Sequence, residues 1–401
     1  MLLLPLALAA VAAATPVVVR DNLVSLKFAK HINITGPQHI VLADQARARA
    51  LRERAQAKLE GRAIVNTPAT NAAVSYLANV GVGSPATQYS LIIDTGSSNT
   101  WVGAGRAFVR TSTSTSTGRR VAVTYGSGSF SGTEFTDTVT LGTGLTISGQ
   151  SIGVASTSTG FSGVDGIVGI GPVDLTAGTV ANTATVPTVT DNLFRLGLIS
   201  ANEIAVSFEP TTSLSITNGE LTWGGTDSSK FTGTISFTPV TRTSPASEFW
   251  GIDQSVRYGT STNILSSTAG IVDTGTTLVL LATNAFSAYQ RATGGVLDNN
   301  TGLLRLTSAQ FNNLQSLFFT TNGVTFELTP NAQLWPRALN TAIGGVAGDF
   351  YLIVNDLGTP SGQGLDFING QTFLERFYSV FDTANKRVGF ATTSFTGATT
   401  N

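Results

Sequence analysis

The chain has 401 residues, 41% hydrophobic and only 12% charged, with a formal net charge of −1. That balance of hydrophobicity and charge excludes intrinsic disorder, and the length allows two or three ordinary domains with a sizeable core. Cysteine is absent and histidine occurs twice, as His31 and His39.

Residues 1–14, within MLLLPLALAAVAAATP, read as a signal peptide: an apolar run gives way to small residues, and Ala12 and Ala14 form an A-x-A cleavage pattern. The run falls short of the roughly 18–20 apolar residues that span a bilayer, so a secreted, extracellular protein is expected and a membrane-bound one is not. Residues 1–62 carry nine Lys and Arg against four Asp and Glu, while the rest carries 14 against 20. The two parts attract each other. Both histidines lie in the basic part. Once it is removed, Ser-His-Asp and Cys-His catalysis are excluded, as are the usual zinc sites, so no metal and no cofactor are expected. No phosphate loop and no basic aromatic patch is present, so nucleic acid is not an expected partner.

Residues 43–60 predict a helix, with Leu51, Ala55 and Leu59 on one face and Gly61 as its stop. Beyond about residue 70 the pattern changes to short strands with Gly and Ser turns, among them YSLIID, RVAVTYGSGSF, ISFTPV, GVTFEL and YSVFD. The body is therefore expected to be all-β. Residues 110–120, RTSTSTSTGRR, read as a surface loop.

IIDTGSSNTW at 92–101 and IVDTGTTLVL at 271–280 share an apolar-apolar-Asp-Thr-Gly pattern, placing Asp94 and Asp273 179 residues apart. Such spacing is no solenoid period; it predicts two similar lobes, each carrying one loop, divided near residues 242–250. A single Asp-Thr-Gly is compatible with an ordinary turn. Two copies, each after a buried apolar pair and each followed by two hydroxyl residues, point to paired carboxylates. Held about 3 Å apart, two carboxyl groups cannot both ionise easily, so one acts as a base on water while the other donates a proton to a carbonyl. The glycine of each loop allows a tight turn and a close approach.

These motifs, with VTYGSGSFSGT, VDGIVGIG, WGGTD and FLERFYSVFDTANKRVGFA in the same order, resemble the pepsin-like aspartic proteases over roughly residues 70–395. Within that family the chain is similar to the secreted fungal polyporopepsin-like group, which also lacks cysteine. The resemblance implies a bilobal all-β fold of two related barrels with a cleft between them. It implies an acid-active endopeptidase, an expected monomer, acting on extended polypeptides and made as a zymogen inhibited by its own propeptide. The expected division is a signal peptide at 1–14, a propeptide at 15–62, an N-terminal lobe at 63–245 and a C-terminal lobe at 246–401.

By the same resemblance, Asp94 and Asp273 are the catalytic pair. Thr95 and Thr274 lock the two loops together across the lobes. Ser97 and Thr276 support the carboxylates from outside, and Gly96 and Gly275 complete the loops. Tyr125, Gly126 and Ser127 form a substrate-gripping flap, with Trp101 packed behind Tyr125. A propeptide Lys is expected between the aspartates, with Lys58 the first candidate and Lys27 and Lys30 the alternatives. Fungal relatives that accept a basic side chain beside the cut carry an Asp where this chain has Ser127.

One departure stands out: the second-lobe apolar-apolar-Gly reads INGQTF, so Asn369 requires hydrogen-bond partners if buried. Two rival functions remain: an inactive pepsin-like binding or inhibitor protein, and a two-carboxylate glycoside hydrolase. The first should have lost a catalytic Asp or Tyr125, and the second would not place its acids on duplicated loops. Asn33 and Asn299 fit the N-glycosylation pattern.

Overall fold

The computed structural model describes residues 24–32, 39–59, 74–125, 128–142 and 144–400. The expected signal peptide, the Gly61 helix stop, the expected start of the mature chain, Asn33, Gly126 and Ser127 lie outside them.

The described chain opens with strand β1 (Val24–Ile32) and helix α1 (His39–Leu59). The first lobe follows as β2 (Val74–Val82), β3 (Thr87–Asp94), β4 (Thr100–Val102), β5 (Thr115–Tyr125), β6 (Gly128–Gly142), β7 (Leu145–Thr159) and β8 (Gly166–Gly169). Helix α2 (Val189–Arg195) leads into β9 (Glu203–Ser207), β10 (Ser215–Trp223) and β11 (Thr232–Pro239). The second lobe begins with β12 (Gly251–Tyr258), β13 (Thr262–Val272), β14 (Val279–Leu281) and helix α3 (Thr283–Thr293). It continues with β15 (Val296–Leu297), β16 (Leu304–Leu306), β17 (Leu317–Thr321), β18 (Val324–Leu328), β19 (Phe350–Leu352), β20 (Val354–Asp356) and β21 (Phe367–Asn369). The last strands are β22 (Phe377–Asp382) and β23 (Arg387–Thr392). The architecture is the expected bilobal, mostly β fold.

Each strand read from the sequence forms. Where residues 110–120 were expected to loop out, β5 already begins at Thr115. The Thr residues explain this, because β-branched side chains suit an exposed edge strand.

β2 to β8 belong to a 13-stranded sheet, which also holds β9, β10, β11, β22 and β23. The end of the chain thus returns to the sheet of its beginning: β22 pairs with β9, and β23 with β11. The second lobe has its own seven-stranded sheet of β12, β13, β14, β17, β18, β20 and β21. The sequence duplication appears as duplicated geometry. In the first lobe β3 runs parallel to β8, with Asp94 opposite Gly169. In the second β13 runs parallel to β21, with Val272 opposite Asn369. Both aspartates therefore stand at the ends of buried strands held on their far side by a parallel neighbour. One apolar core runs through both lobes and takes in Ile40, Val41, Ala48, Leu51 and Ala55 of α1.

The basic early segment is built into this fold. β1 lies between β10 and β2 in the large sheet. Lys30 on β1 is buried, forms an ion pair with Glu375, and shares that carboxylate with the Tyr76 hydroxyl, which donates at 2.9 Å. A buried charge needs such a partner.

Candidate active site

The two Asp-Thr-Gly loops meet at the lobe interface, and hydroxyls lock them together. Thr95 N donates to Thr274 Oγ1 at 3.0 Å, and Thr274 N donates to Thr95 Oγ1 at 2.9 Å. Each hydroxyl then donates onward into the opposite lobe, Thr95 to Val272 O at 3.3 Å and Thr274 to Ile93 O at 3.1 Å. All four groups are buried, so each satisfied pair resists shear between the lobes.

Asp94 and Asp273 are 1% and 0% exposed, which makes the chemistry of their partners decisive. Asp94 accepts from Gly96 N at 2.9 Å and from Ser97 Oγ at 2.5 Å. Asp273 accepts from Gly275 N at 3.0 Å and from Thr276 Oγ1 at 2.6 Å. The two environments are near copies, as the duplicated sequence requires. Glycine is needed in both loops because a Cβ at Gly96 would stand 2.8 Å from Asp273 Oδ1, and one at Gly275 would stand 2.8 Å from Asp94 Oδ1. Each loop thus approaches the other lobe's carboxylate more closely than a side chain permits.

Arg47 of α1 occupies the space between the carboxylates. Its Nη2 reaches Asp94 Oδ1 at 2.5 Å and Asp273 Oδ1 at 2.8 Å, and its Nε reaches Asp273 Oδ2 at 2.6 Å. Burial by itself would raise the Asp273 carboxyl, but the Arg47 guanidinium and its hydrogen bonds hold it below the ordinary carboxylate value. The same two carboxylates raise Arg47 further, against the desolvation of its own site.

This corrects the expectation of a lysine. Lys58 stands eleven residues further along α1, about 16 Å of helix beyond Arg47 at 1.5 Å per residue, and its side chain lies outside the described residues. Lys27 is exposed on β1, and Lys30 is engaged with Glu375. The helix begins at His39 rather than near residue 43, so the turn bearing Arg47 is the one that crosses the dyad. Arginine suits the position because its planar fork can engage two carboxylates at once.

Sequence reasoning also missed Asp44. Its carboxylate accepts from Thr277 N at 3.0 Å and from Leu278 N at 2.7 Å, just past the second loop. Burial pushes it up to about 7, against the pull of those two amides. Further along α1, Gln45 donates to Asp356 O at 2.9 Å, Arg52 to Leu365 O at 3.1 Å, and buried Arg54 to Leu175 O. The signal available in the sequence was the ADQARARA stretch. Its small residues at 43 and 48 leave room for the helix to lie against the cleft walls, and both are buried.

On the flap side, Tyr125 ends β5, and its ring centroid stands 6.3 Å from that of Trp101, which stacks on Phe130 at 4.2 Å. The Tyr125 hydroxyl and Trp101 Nε1 are both buried without a hydrogen-bond partner among the described residues. Burial raises the tyrosine's pKa, so this hydroxyl stays protonated.

Asn369 finds its partner in Gln254. Asn369 Nδ2 donates to Gln254 Oε1 at 2.9 Å, and Gln254 Nε2 donates back to Asn369 Oδ1 at 3.3 Å. Beside it, Gln371 Nε2 donates to Thr274 O at 2.8 Å and steadies the second loop from below. The pair makes a prediction. Asn369→Leu leaves the buried Gln254 amide unpaired and should cost about 1–3 kcal/mol, whereas adding Gln254→Leu should recover part of that loss. Denaturant midpoints of both variants check it.

Among the described residues no group of three or more His, Cys, Asp or Glu converges on a metal position. No helix among them is long and apolar enough to cross a membrane.

Comparison with known proteins agrees with this geometry. The family model for eukaryotic aspartyl protease matches residues 75–393. Polyporopepsin of Irpex lacteus is 70% identical over 338 residues, covering 84% of this chain and 99% of the relative. Pepsin A of Sus scrofa is 30% identical over 334 residues, covering 79% and 80%. The crystal structure of the aspartic proteinase from Irpex lacteus superposes with a TM-score of 0.82 at 62% identity, over 94% of this chain and all of that one. With two interlocked Asp-Thr-Gly loops at the junction of two lobes, the chain belongs to the eukaryotic aspartyl protease family and is a pepsin-like aspartic endopeptidase.

Proposed function

We propose that the chain is a secreted zymogen whose Asp94 and Asp273 hydrolyse extended polypeptides once the prosegment has left. One carboxylate, held by its loop N–H and hydroxyl donors, takes a proton from a water placed between the pair. The water oxygen attacks the peptide carbonyl, and the other carboxyl, in its acid form, protonates the carbonyl oxygen. Return of the protons to the dyad and to the leaving amine breaks the C–N bond. Tyr125 closes over the cleft and, with Gly126 and Ser127, holds the substrate main chain. An inactive binding protein is not supported: both carboxylates, their supporting hydroxyls and the flap tyrosine are in place.

The observation that carries this proposal is Arg47. A cation that takes Asp94 and Asp273 together occupies the volume that the water and the scissile carbonyl require. The sign of the pH effect follows. A docked carboxylate with a depressed pKa contributes binding above its free value, near 4, and loses it as pH falls through the docked value. The zymogen should therefore be stable at pH 7 and shorten by self-processing at pH 3. Gel electrophoresis with N-terminal sequencing checks this. Equal processing at both pH values would overturn the inhibitory role of residues 15–62.

Specificity gives a further expected outcome. Ser127 cannot form an ion pair with a basic side chain beside the cut. The processed enzyme should prefer bulky apolar residues flanking the scissile bond and cleave poorly after Lys. A peptide-library profile led by Lys before the cut would refute the expectation.

A further inference from the structure

We propose that Gln371 is a positioning residue for Asp273, joined to that carboxylate by a hydrogen-bonded relay whose counterpart in the first lobe has no side-chain donor. The proposal deepens the paired-carboxylate reading above and rests on it.

Gln371 opens the short helix Gln371–Leu374 that follows β21, and it is 1% exposed. It holds the second loop at two points. Its main-chain N–H donates to Thr276 O at 2.8 Å, and its side-chain Nε2 donates to Thr274 O at 2.8 Å. Within this clamp lie the two loop groups that donate to Asp273, Gly275 N to Oδ1 at 3.0 Å and Thr276 Oγ1 to Oδ2 at 2.6 Å. The peptide unit joining Thr274 to Gly275 therefore accepts at its oxygen from Gln371 and donates at its nitrogen to Asp273. Hydrogen bonds in series polarise one another, so the Gln371 donor strengthens the Gly275 N–H. A stronger donor favours the ionised carboxylate.

The side chain itself argues for such a use. Gln371 Oε1 is buried without a hydrogen-bond partner among the described residues. An orphaned buried acceptor is destabilising, so an amide is a poor choice where only a filled core is required. What the amide supplies is its N–H. The lobes differ at this point. Asp94 stands opposite Gly169, and one step beyond the Val272–Asn369 pair sets Asp273 against Gly370. The residue after that glycine is Ile170 in the first lobe and Gln371 in the second. Ile170 is buried in the apolar core and has no side-chain donor. A dyad that the duplicated loops would make symmetric is thus made unequal, with the added hold on the charge of Asp273.

The charged groups facing Asp273 are Asp94 from the first loop and Arg47 and Asp44 from α1. Both α1 groups depart with the prosegment, which leaves the relay acting on the processed dyad. Beneath the loop, Asp366 is engaged by Thr268 Oγ1, Gly362 N and Gln363 N, and Glu375 by Lys30 and Tyr76.

The test measures kcat and KM across pH for the full chain after acid processing, on an apolar peptide, with denaturant midpoints as the folding check. Gln371→Leu removes the donor. The lower apparent pKa of the dyad should rise, so the acid limb of kcat/KM should move about half a pH unit toward neutral, with KM unchanged. Gln371→Glu is the rescue. Its carboxyl in the acid form can donate to Thr274 O, so the wild-type acid limb should return. Once that carboxyl ionises, the donor is lost and a like charge stands near Asp273, so the basic limb should move to lower pH. A merely structural role would lower the rate equally at every pH. An unmoved acid limb in Gln371→Leu, with Asp273→Asn inactive, would overturn the relay and leave the dyad standing. Hydrolysis near the wild-type rate by Asp273→Asn would overturn the dyad and the relay together.

Discussion

Asp94→Asn and Asp273→Asn should each abolish peptide hydrolysis, lowering it by about 10⁴-fold or more, while the chain still folds. Asparagine keeps the size of aspartate and one acceptor oxygen. The amide oxygen can keep accepting from Gly96 N or Gly275 N, and the hydroxyl of Ser97 or Thr276, which donated to the other carboxylate oxygen, can turn to accept from the new amide N–H. What is lost is the proton site. A dyad with one carboxyl can no longer take a proton from water and give one to the carbonyl in the same cycle. Initial rates on an apolar peptide, with circular dichroism as the folding check, measure the effect. The same substitutions in the zymogen should leave it full length at pH 3. Hydrolysis near the wild-type rate in either variant would end the paired-carboxylate mechanism.

Arg47→Ala should move prosegment release toward neutral pH. Breaking a buried ion pair by removing one partner costs about 3–5 kcal/mol, because the remaining charges stay buried without compensation. Here two carboxylates, 0–1% exposed, are left facing each other. The docked helix loses that much of its hold, and the depression of Asp273 by Arg47 disappears with it. Processing, followed on gels across a pH series, should then begin well above the wild-type midpoint. Arg49→Ala, on an exposed position of the same helix, should leave the midpoint unchanged. An unshifted midpoint in Arg47→Ala would remove the guanidinium from the inhibitory role.

Asp44 acts in the opposite sense. Its docked pKa is raised to about 7 by burial, so docking takes up a proton. The contribution of a raised carboxyl grows as pH falls from about 7 toward the free value near 4, and it opposes release over that range. In the proposed zymogen the acid trigger would therefore reside in the dyad and Arg47, with Asp44 delaying it. Under that proposal the helix should stay docked in mild acid and leave only in strong acid.

The sequence by itself determined the family, the two lobes and the dyad. Those features rest on short-range physics repeated twice: an apolar strand, an aspartate at its end, a glycine where no side chain fits, and a hydroxyl directly after it. Such patterns survive in one dimension because each residue's role is fixed by its neighbours along the chain. The strands were legible for the same reason, while the start of β5 was missed because a Ser and Thr run fits an exposed edge as well as a loop.

Tertiary structure decided what fills the cleft. Whether Arg47, Lys58 or Lys30 reaches the aspartates depends on where α1 begins and how it lies across two lobes, and nothing local to those residues encodes that. Likewise the hold on Lys30 comes from Glu375, 345 residues away, and the partner of Asn369 is Gln254 on another strand. Buried charges and amides choose their partners by geometry in the folded state, where desolvation makes a missing partner costly. In the sequence the same residues are only candidates.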